Sequence, residues 1–296
     1  PATTSTLSYK FFDGISGLAV RNGLVVLCIR DRNLLLFVDA NARKVLGPAP
    51  LGDPRGLTFD RNGLLLALAG RQLLGFTLAA DPTNLPTAGV IIAEGLDDPQ
   101  RVALDDAGNI YISDRGSSHQ VKVFKPNGKP LRGIGTAGKP AAGLYDPEHM
   151  NNPAGITVSG DGHLWVAEED RTPRRISIWT LKGKLVNAFY GPTSGGGTLD
   201  PGNRERFFVA DNGGMEFKLN WKKRTSELVS VYCRPETDGL HLPGGFRAPE
   251  TPIHADGHDY LTDAYNVAPC GGTSIASLWL LRKGVAVPVA AAGYAN

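Results

Sequence analysis

The sequence has 296 residues, including 37 glycines and 21 prolines, and its net charge is only +2. This length can bury a substantial core, and the many turn residues favour one large all-β domain over paired α/β domains. The small charge excludes a strong global attraction to nucleic acid or anionic membranes, and no apolar run is long enough to span a bilayer.

The chain begins PATTSTLSYKFF, with neither an initiator methionine nor a signal-peptide pattern, and it ends abruptly at GYAN. We therefore expect it to be one part of a larger protein. Residues 1–13 are predicted to form an extra N-terminal strand.

Six segments then follow one hairpin pattern, with a short strand, a tight turn containing Gly or Asn, and a second strand rich in β-branched, aromatic or leucine residues. The segments are AVRNGLVVLCI, TFDRNGLLLALA, ALDDAGNIYISD, TVSGDGHLWVAEE, LDPGNRERFFVAD and IHADGHDYLTDA. The turn glycines Gly23, Gly63, Gly108 and Gly162 recur at intervals of 40, 45 and 54 residues. This spacing is typical of β-propeller blades.

A third and a fourth strand follow most hairpins, as in QVKVFKPN with PLRGIG and in RISIWTLK with LVNAFYG. Proline-containing entries such as GDPRGL, DDPQRV and NNPAGI separate the units, because proline interrupts a strand. One such unit cannot bury both faces without neighbours. The sequence therefore predicts an all-β fold, a six-bladed β-propeller with four-stranded antiparallel blades.

The predicted propeller is a single domain over residues 1–296. Its approximate blades are 14–52, 53–96, 97–150, 151–193, 194–248 and 249–293. The last blade has a fourth strand of its own, VAVPVAAAG from Val285, and the N-terminal strand could pair with it or replace it. A seven-bladed propeller with a partial blade is the alternative.

The segment VALDDAGNIYISD followed by QVKVFKPNGK resembles an NHL repeat, and NPAGITVSGDGHLWVAEE with ISIWTLKGKLVNAFYG resembles a second one. These two units cover roughly residues 96–191. The last two units depart from the pattern and resemble the propeller part of uncharacterised bacterial surface proteins. This resemblance implies one part of a larger exported bacterial protein, in an extracellular or periplasmic location. NHL propellers include a peptide-amidating lyase, scaffolds and RNA binders, so the resemblance implies a fold rather than one activity.

In the amidating lyase, metal-binding histidines lie where the chain enters each inner strand. The matching positions of this sequence hold Ser16, Arg55, Arg101 and Ala154. None of them is histidine, which argues against the lyase activity. Arg55 and Arg101 could make the channel mouth cationic and attractive to a carboxylate or sulfate, or they could pair with the neighbouring Asp53 and Asp98.

Ligand sites of propellers usually lie on the face that carries the loops between second and third strands and between blades. We therefore expect a protein or carbohydrate ligand on this top face. The candidate ligand-binding residues are Arg55, Arg101, Arg115, Glu169 and Arg171.

Two long connections, 136–153 and 234–250, bring carboxylates and imidazoles to the same rim. A divalent metal, zinc or calcium, could be held by His119, His149 and His241, with Glu148 as an acid or base. The alternative is that these polar loop residues only satisfy their own backbone. His254 and His258 fall on the opposite face and are expected to be solvent-exposed, as two histidines alone make an incomplete site.

Acidic residues follow most second strands and are expected to accept backbone N–H bonds rather than to form one catalytic centre. They are Asp31, Asp114, Glu168, Asp211 and Asp263. The basic clusters RTPRR (171–175) and NWKKR (220–224) could suggest an RNA-binding propeller. Exposed aromatic residues for base stacking are not interleaved with the top-face cluster, so nucleic acid is an unlikely partner.

Three cysteines allow one disulfide bond at most. Cys28 lies inside an apolar strand and is predicted to be buried. A Cys233–Cys270 disulfide is possible and would favour an exported protein.

The sequence as a whole favours a binding or interaction module over an enzyme. A metal-dependent hydrolase or lyase with a His/Glu site at the channel mouth is the first alternative, and an RNA-binding NHL propeller is the second.

Overall fold

The computed structural model of the protein describes residues 15–141, 143–169, 173–190, 197–200, 202–210, 214–232, 252–255, 257–267, 273–282 and 285–294. These residues form β-strands and one short 3-10 helix, Arg30–Arg32, so the predicted all-β class is confirmed. None of the described helices could cross a membrane. The strand predicted for residues 1–13 and the Cys233–Cys270 disulfide lie outside the described residues.

The first three sheets each contain four antiparallel strands in chain order. The first sheet comprises β1 (Gly17–Arg21), β2 (Leu24–Ile29), β3 (Leu34–Asp39) and β4 (Lys44–Pro50). The second comprises β5 (Pro54–Phe59), β6 (Leu65–Ala69), β7 (Gln72–Phe76) and β8 (Gly89–Ile92). The third comprises β9 (Pro99–Leu104), β10 (Ile110–Asp114), β11 (Gln120–Phe124) and β12 (Pro130–Ile134).

Three further sheets follow a short strand, β13 (Gly143–Leu144). The fourth comprises β14 (Pro153–Val158), β15 (His163–Glu168), β16 (Arg175–Thr180) and β17 (Leu185–Tyr190). The fifth contains β18 (Gly197–Leu199), β19 (Arg206–Ala210), β20 (Gly214–Asn220) and β21 (Thr225–Tyr232). The sixth comprises β22 (Pro252–Ala255), β23 (His258–Val267), β24 (Thr273–Arg282) and β25 (Val285–Tyr294).

The propeller-type, four-stranded antiparallel unit predicted from the sequence is thus confirmed. The strand predicted from Val285 is β25, and it pairs with β24. The blade count of a closed ring and the single-domain organisation stay predictions.

The fifth sheet departs from this plan because β13 adds a fifth strand beside β21. Gly143 lies opposite Val231, and Leu144 lies opposite Ser230. The sequence does not predict a strand in this part of the 136–153 connection, because a two-residue segment is too short to show a strand periodicity. The added strand covers an outer edge that would otherwise expose unpaired backbone groups.

The described residues divide into two compact units. The first unit contains those within residues 1–138, 152–167 and 177–187. The second unit contains those within 139–151, 168–176 and 188–296.

Alternation along β6 explains the core of the first unit, because successive side chains of a strand point to opposite faces of the sheet. Leu65 and Ala67 pack in a cluster with residues of the first sheet, such as Phe37. Leu66 and Leu68 pack in another cluster with residues of the third sheet. The sequence LLALA is therefore apolar throughout, since both faces of this strand are covered.

Cys28 belongs to the first of these clusters and is fully buried, as predicted. Burial raises the pKa of its thiol to about 12, which makes the reactive thiolate scarce at neutral pH.

The innermost strands β1, β5, β9 and β14 of the first unit contact one another in that order. Glycines make two of these contacts possible. A Cβ atom added at Gly17 would lie 2.2 Å from the carbonyl oxygen of Arg55, and one at Gly56 would lie 2.6 Å from the Cα atom of Arg101. The strands therefore approach each other at backbone distance.

The second unit has a smaller core of Met215, Phe217, Leu228 and Val231. Tyr190 packs beside this core, edge-to-face against Phe217, with ring centroids 6.0 Å apart.

Candidate functional site

The entries to the inner strands of the first unit correct one sequence prediction. Strands β5, β9 and β14 all begin with proline, so their second residues are Arg55, Gln100 and Ala154. Pro54 lies opposite Ala69, as Pro99 lies opposite Asp114, which makes Gln100 the equivalent of Arg55. Placing Arg101 at this position was wrong by one residue. Residue type alone does not show that Gln100, rather than Arg101, is equivalent to Arg55. The backbone register decides it.

Arg55 is buried, and its Nε and Nη1 atoms are engaged. Its Nε lies 3.0 Å from Asp53 Oδ2, its Nη1 forms an ion pair with Asp98, and the same Nη1 donates to the carbonyl oxygen of Pro99 at 2.9 Å. Burial alone would lower the pKa of Arg55, but the hydrogen bonds to Asp98 and Asp53 outweigh it and raise this pKa. Of the two interpretations of Arg55, the structure shows ion pairing with Asp53 and Asp98.

Two entry side chains link successive inner strands. Ser16 Oγ donates to the carbonyl oxygen of Pro54 at 2.9 Å, and Arg55 Nη1 donates to that of Pro99. Each side chain thus bonds to the proline that begins the next inner strand. We call these two contacts the entry links.

The other candidate ligand-binding residues have contacts of their own. Arg101 Nη1 donates to the carbonyl oxygen of Gln100 at 3.0 Å, and the backbone N–H of Arg115 donates to that of Asp98. Glu169 is exposed, and Arg171 lies outside the described residues.

Two of the acidic residues after second strands accept backbone N–H bonds, as expected. Asp114 accepts from the backbone nitrogens of Asp97 and Asp98, at 3.1 and 2.6 Å, and Glu168 accepts from that of Asn151 at 2.7 Å. Each carboxylate thus holds the segment that precedes a blade entry.

The predicted metal ligands are not assembled in the part of the chain that the structure describes. There, no three His, Cys, Asp or Glu side chains come together as a metal-binding group. His119 is buried and its Nδ1 accepts a hydrogen bond from the backbone N–H of Asn152 at 3.1 Å. Glu148 is exposed, and His241 lies outside the described residues.

His149 lies in the second unit and pairs with Asp146 instead of Glu148. Its Nδ1 is 2.9 Å from Asp146 Oδ2, while Asp146 Oδ1 accepts the backbone N–H of Glu148. The pairing follows from a turn at 146–149, because the backbone N–H of His149 donates to the carbonyl oxygen of Asp146.

Arg175 fixes the chain on both sides of this turn. Its side chain and that of Glu168 are fully buried, and Arg175 Nε lies 2.6 Å from Glu168 Oε1. The guanidinium also donates to the carbonyl oxygens of Pro147 and His149, at 2.7 and 2.9 Å, and to the hydroxyl of Tyr145. This arrangement was not predicted, because the sequence shows Arg175 only as one member of a basic cluster.

A cavity of about 140 Å³ opens beside this turn in the second unit. It is lined by His149 and Tyr145 and by the aliphatic side chains of Pro140, Leu144, Pro173 and Val231. Ala141, Asp146 and Asn151 also line it, so one imidazole lies at a small, mostly apolar space.

A cavity of about 660 Å³ lies in the first unit, beside the β5–β6 and β9–β10 turns. Its apolar wall is formed by Leu64, Leu66, Ile91, Leu104 and Ile110. Its rim carries three carboxylates and one guanidinium, from Asp60, Asp105, Asp106 and Arg61. In the sequence these turns stand out only as hairpin signals. The available clue was the acidic residues before the turn glycines, Asp60 in DRNG and Asp105 and Asp106 in DDAG.

His254, in the second unit, belongs to an ionic network that includes the fully buried side chain of Asp200. Its Nδ1 is 2.7 Å from Asp259 Oδ1, and its Nε2 is 2.9 Å from Asp200 Oδ1. Arg206 bonds to the second oxygen of each aspartate, at 3.2 and 2.9 Å, and also to Glu216. The predicted exposure of His254 holds, since 43 % of its side chain is accessible.

We expect this network to make stability depend on pH. Hydrogen bonds to Asp200 and Asp259 raise the pKa of His254. The contribution of protonated His254 to the free energy of unfolding is therefore complete below the pKa of about 6.5 that it has in the unfolded chain. This contribution is lost as the pH rises through the higher pKa of the folded state. The carboxyl pKa values of Asp200 and Asp259 are lowered, so their own contribution changes only in acid.

Urea unfolding at about pH 6 and about pH 9 tests this expectation, since those values bracket the imidazole transition. The free energy of unfolding should fall across this interval in the natural protein and fall less in His254→Gln. His258→Gln, on the same hairpin, is the control and should behave like the natural protein. Equal pH dependence in both variants would contradict the role of His254.

Comparison with known proteins identifies one sequence family. Residues 96–124 match the NHL repeat, and this range overlaps the first of the two segments that resembled it. No curated protein matches the sequence.

Several solved structures are similar in fold. A streptogramin B lyase structure is 14 % identical, with 96 % of this chain and 94 % of that chain covered and a TM-score of 0.45. A gluconolactonase from Xanthomonas campestris is 15 % identical, with coverages of 84 and 82 % and a TM-score of 0.47. The hydrazine synthase of Kuenenia stuttgartiensis is 12 % identical, with coverages of 95 and 80 % and a TM-score of 0.46. Similarities at this level carry no inference about activity.

Proposed function

We propose that this chain, which contains an NHL repeat at residues 96–124, is a binding module for a cationic segment of a partner polypeptide. The observation that carries the proposal is the cavity of about 660 Å³ in the first unit, with its apolar wall and acidic rim. Its volume lies within the range of small-molecule and side-chain pockets, roughly 300–1,000 Å³.

The apolar wall supports binding of aliphatic side chains. Leu64, Ile91 and Leu104 line the cavity while remaining partly exposed. Covering such surface contributes about 25 cal/mol per Å² of apolar area removed from water. A leucine or the methylene stem of a lysine would gain this contribution.

The carboxylates of the rim are held in place before a ligand arrives. Asp60 Oδ1 accepts the backbone N–H groups of Asn62 and Leu64, at 2.9 and 2.8 Å. Asp105 Oδ2 accepts the hydroxyl of Tyr111 at 3.0 Å, and Asp106 adds an exposed carboxylate. Fixed acceptors lose little side-chain entropy when they bind an ammonium or guanidinium group.

This charge favours a protein partner over the other ligands considered from the sequence. The cavity lining carries three carboxylates and one guanidinium, and the guanidinium of Arg21 bonds to the carbonyl oxygens of Asp60 and Arg61 beside it. Carboxylates still outnumber guanidinium groups, which disfavours the phosphates of RNA at this cavity. A neutral carbohydrate would leave the rim carboxylates without an opposite charge. The top-face arginine Arg55 is already paired, so we place the ligand at the β5–β6 and β9–β10 turns instead.

We expect Ala107→Trp to weaken binding of a synthetic peptide of alternating lysine and leucine by at least about tenfold, or 1.4 kcal/mol. Ala107 is exposed and lines the cavity, so the indole would occupy part of its volume. Asp106→Lys should also weaken binding, because it reverses one rim charge. Isothermal titration calorimetry measures both effects.

Two controls make the measurement specific. Asp161→Lys changes an exposed acidic residue on the corresponding turn before β15, away from this cavity, and should leave the affinity unchanged. A peptide of alternating glutamate and leucine should bind weakly. Equal binding of the two peptides, or unchanged affinity in Ala107→Trp, would overturn the proposal.

A divalent ion and an exported location are separate proposals. The zinc or calcium expected from His119, His149 and His241 would need Nε2 of His149, because Nδ1 pairs with Asp146, so a bound ion would exclude proton transfer by this imidazole. Elemental mass spectrometry of the purified protein tests this metal proposal. Stoichiometric metal that is lost in His241→Ala would support a site that includes this histidine. Metal-free protein would contradict it.

A further inference from the structure

We propose that the His149–Asp146 pair of the second unit is a general-base site for the hydrolysis of short-chain acyl esters. The observation is a hydrogen-bonded imidazole and carboxylate at the wall of the 140 Å³ cavity, on a turn fixed by a buried ion pair. This site is independent of the binding proposed for the first unit.

The hydrogen bond determines which imidazole nitrogen can act as the base. A carboxylate only accepts, so the proton of the neutral ring lies on Nδ1, 2.9 Å from Asp146 Oδ2. Nε2 then carries the free lone pair, and no described residue forms a hydrogen bond with it. An imidazole held by a carboxylate at Nδ1 with Nε2 open is the arrangement of a general base.

Holding this turn with a buried ion pair has a free-energy cost. Glu168 and Arg175 are fully buried, and removing two charges from water costs more than burying aliphatic side chains of similar size. The ion pair orients the guanidinium of Arg175, whose N–H groups donate to the carbonyl oxygens of Pro147 and His149. Arg175 is therefore a positioning residue, which holds His149 in place without facing the substrate.

The cavity indicates the substrate. Its volume of about 140 Å³ admits a group of a few carbon atoms, and Pro140, Leu144, Pro173 and Val231 give it aliphatic walls. Neutral acyl groups such as acetyl suit this lining, whereas a charged group would lose its hydration there. The alcohol part of the ester would remain outside, toward solvent.

The reaction needs only water as a second reactant. His149 Nε2 takes a proton from water while the water oxygen bonds to the acyl carbon. When the tetrahedral intermediate collapses, the bond from the acyl carbon to the alcohol oxygen breaks. The imidazolium then returns its proton to the departing alkoxide, which gives a carboxylic acid and an alcohol. No electrons are exchanged with an external reagent.

The test is hydrolysis of p-nitrophenyl acetate by the whole chain. We expect saturable hydrolysis that falls by about a hundredfold or more in His149→Gln, the usual range for loss of a general base. Asp146→Asn should lower kcat with little change in KM, since it misorients the imidazole without altering the cavity. p-Nitrophenyl octanoate should be a poor substrate, because its acyl chain exceeds the cavity.

The chain offers a matched control in His163, whose Nδ1 pairs with Asp161 Oδ2 at 3.2 Å on a hairpin outside this cavity. His163→Gln should keep the natural rate. Leu144→Trp is a second variant, which fills the cavity from an exposed position and should raise KM for the acetate. A non-saturating rate, a rate retained in His149→Gln, or octanoate cleaved as well as acetate would overturn the proposal.

Discussion

Arg175→Met should lower the free energy of unfolding by about 3–5 kcal/mol, the usual cost of removing one partner from a buried ion pair. The substitution keeps the aliphatic stem but leaves the Glu168 carboxylate buried without its guanidinium. It also removes the donors to the carbonyl oxygens of Pro147 and His149. Urea denaturation followed by circular dichroism measures the loss.

Arg174→Met is the matched control, because Arg174 is the adjacent residue and its side chain is exposed. Its effect should stay within about 0.5 kcal/mol, as for most surface substitutions. Similar free energies of unfolding for Arg175→Met and Arg174→Met would contradict this prediction, because they would mean that the buried ion pair does not stabilise the protein more than methionine does. A double replacement, Glu168→Leu with Arg175→Met, should recover part of the loss, since no charge then remains buried.

Gly56→Ala is expected to cost about 3 kcal/mol, at the upper end of the range for overpacking. The added methyl group would lie 2.6 Å from Arg101 Cα and 2.8 Å from the carbonyl oxygen of Gln100. Both are backbone atoms of β9, so no side-chain rotation can relieve the contact. The inner strands β5 and β9 would have to separate.

Gly52→Ala provides the comparison, because nothing lies within 4 Å of a Cβ atom built at Gly52. It should be close to neutral in thermal denaturation. A small effect of Gly56→Ala in the same experiment would show that the approach of β5 and β9 is looser than the structure indicates.

Much of the fold could be predicted from local sequence because its signals are local. Gly63 and Gly108 both adopt positive φ, as their tight hairpin turns require, and the strands on either side follow from the apolar pattern. The strand β13 could not be predicted this way. Gly143 and Leu144 are in a strand only because β21 lies beside them, a partner that is distant in the sequence.

The sites were harder to predict because they depend on which side chains meet. Arg55 was a candidate ligand residue, yet Asp53 and Asp98 lie close enough to pair with it. His149 was correctly placed beside a carboxylate, but the turn geometry selects Asp146 and leaves Glu148 exposed. The sequence identifies charged and polar residues as candidates for a site. Which side chains they contact depends on backbone register and turn geometry.

The entry links have a consequence for how the first unit comes apart. Ser16 and Arg55 each donate to a main-chain oxygen of the next sheet, at Pro54 and Pro99. If one sheet detached, the following sheet would lose the side chain that donates to its proline carbonyl oxygen. It would also lose the apolar side chains that pack against one of its faces. We therefore expect neighbouring sheets of this unit to open as one cooperative element rather than singly, with their central amide hydrogens exchanging through a common opening.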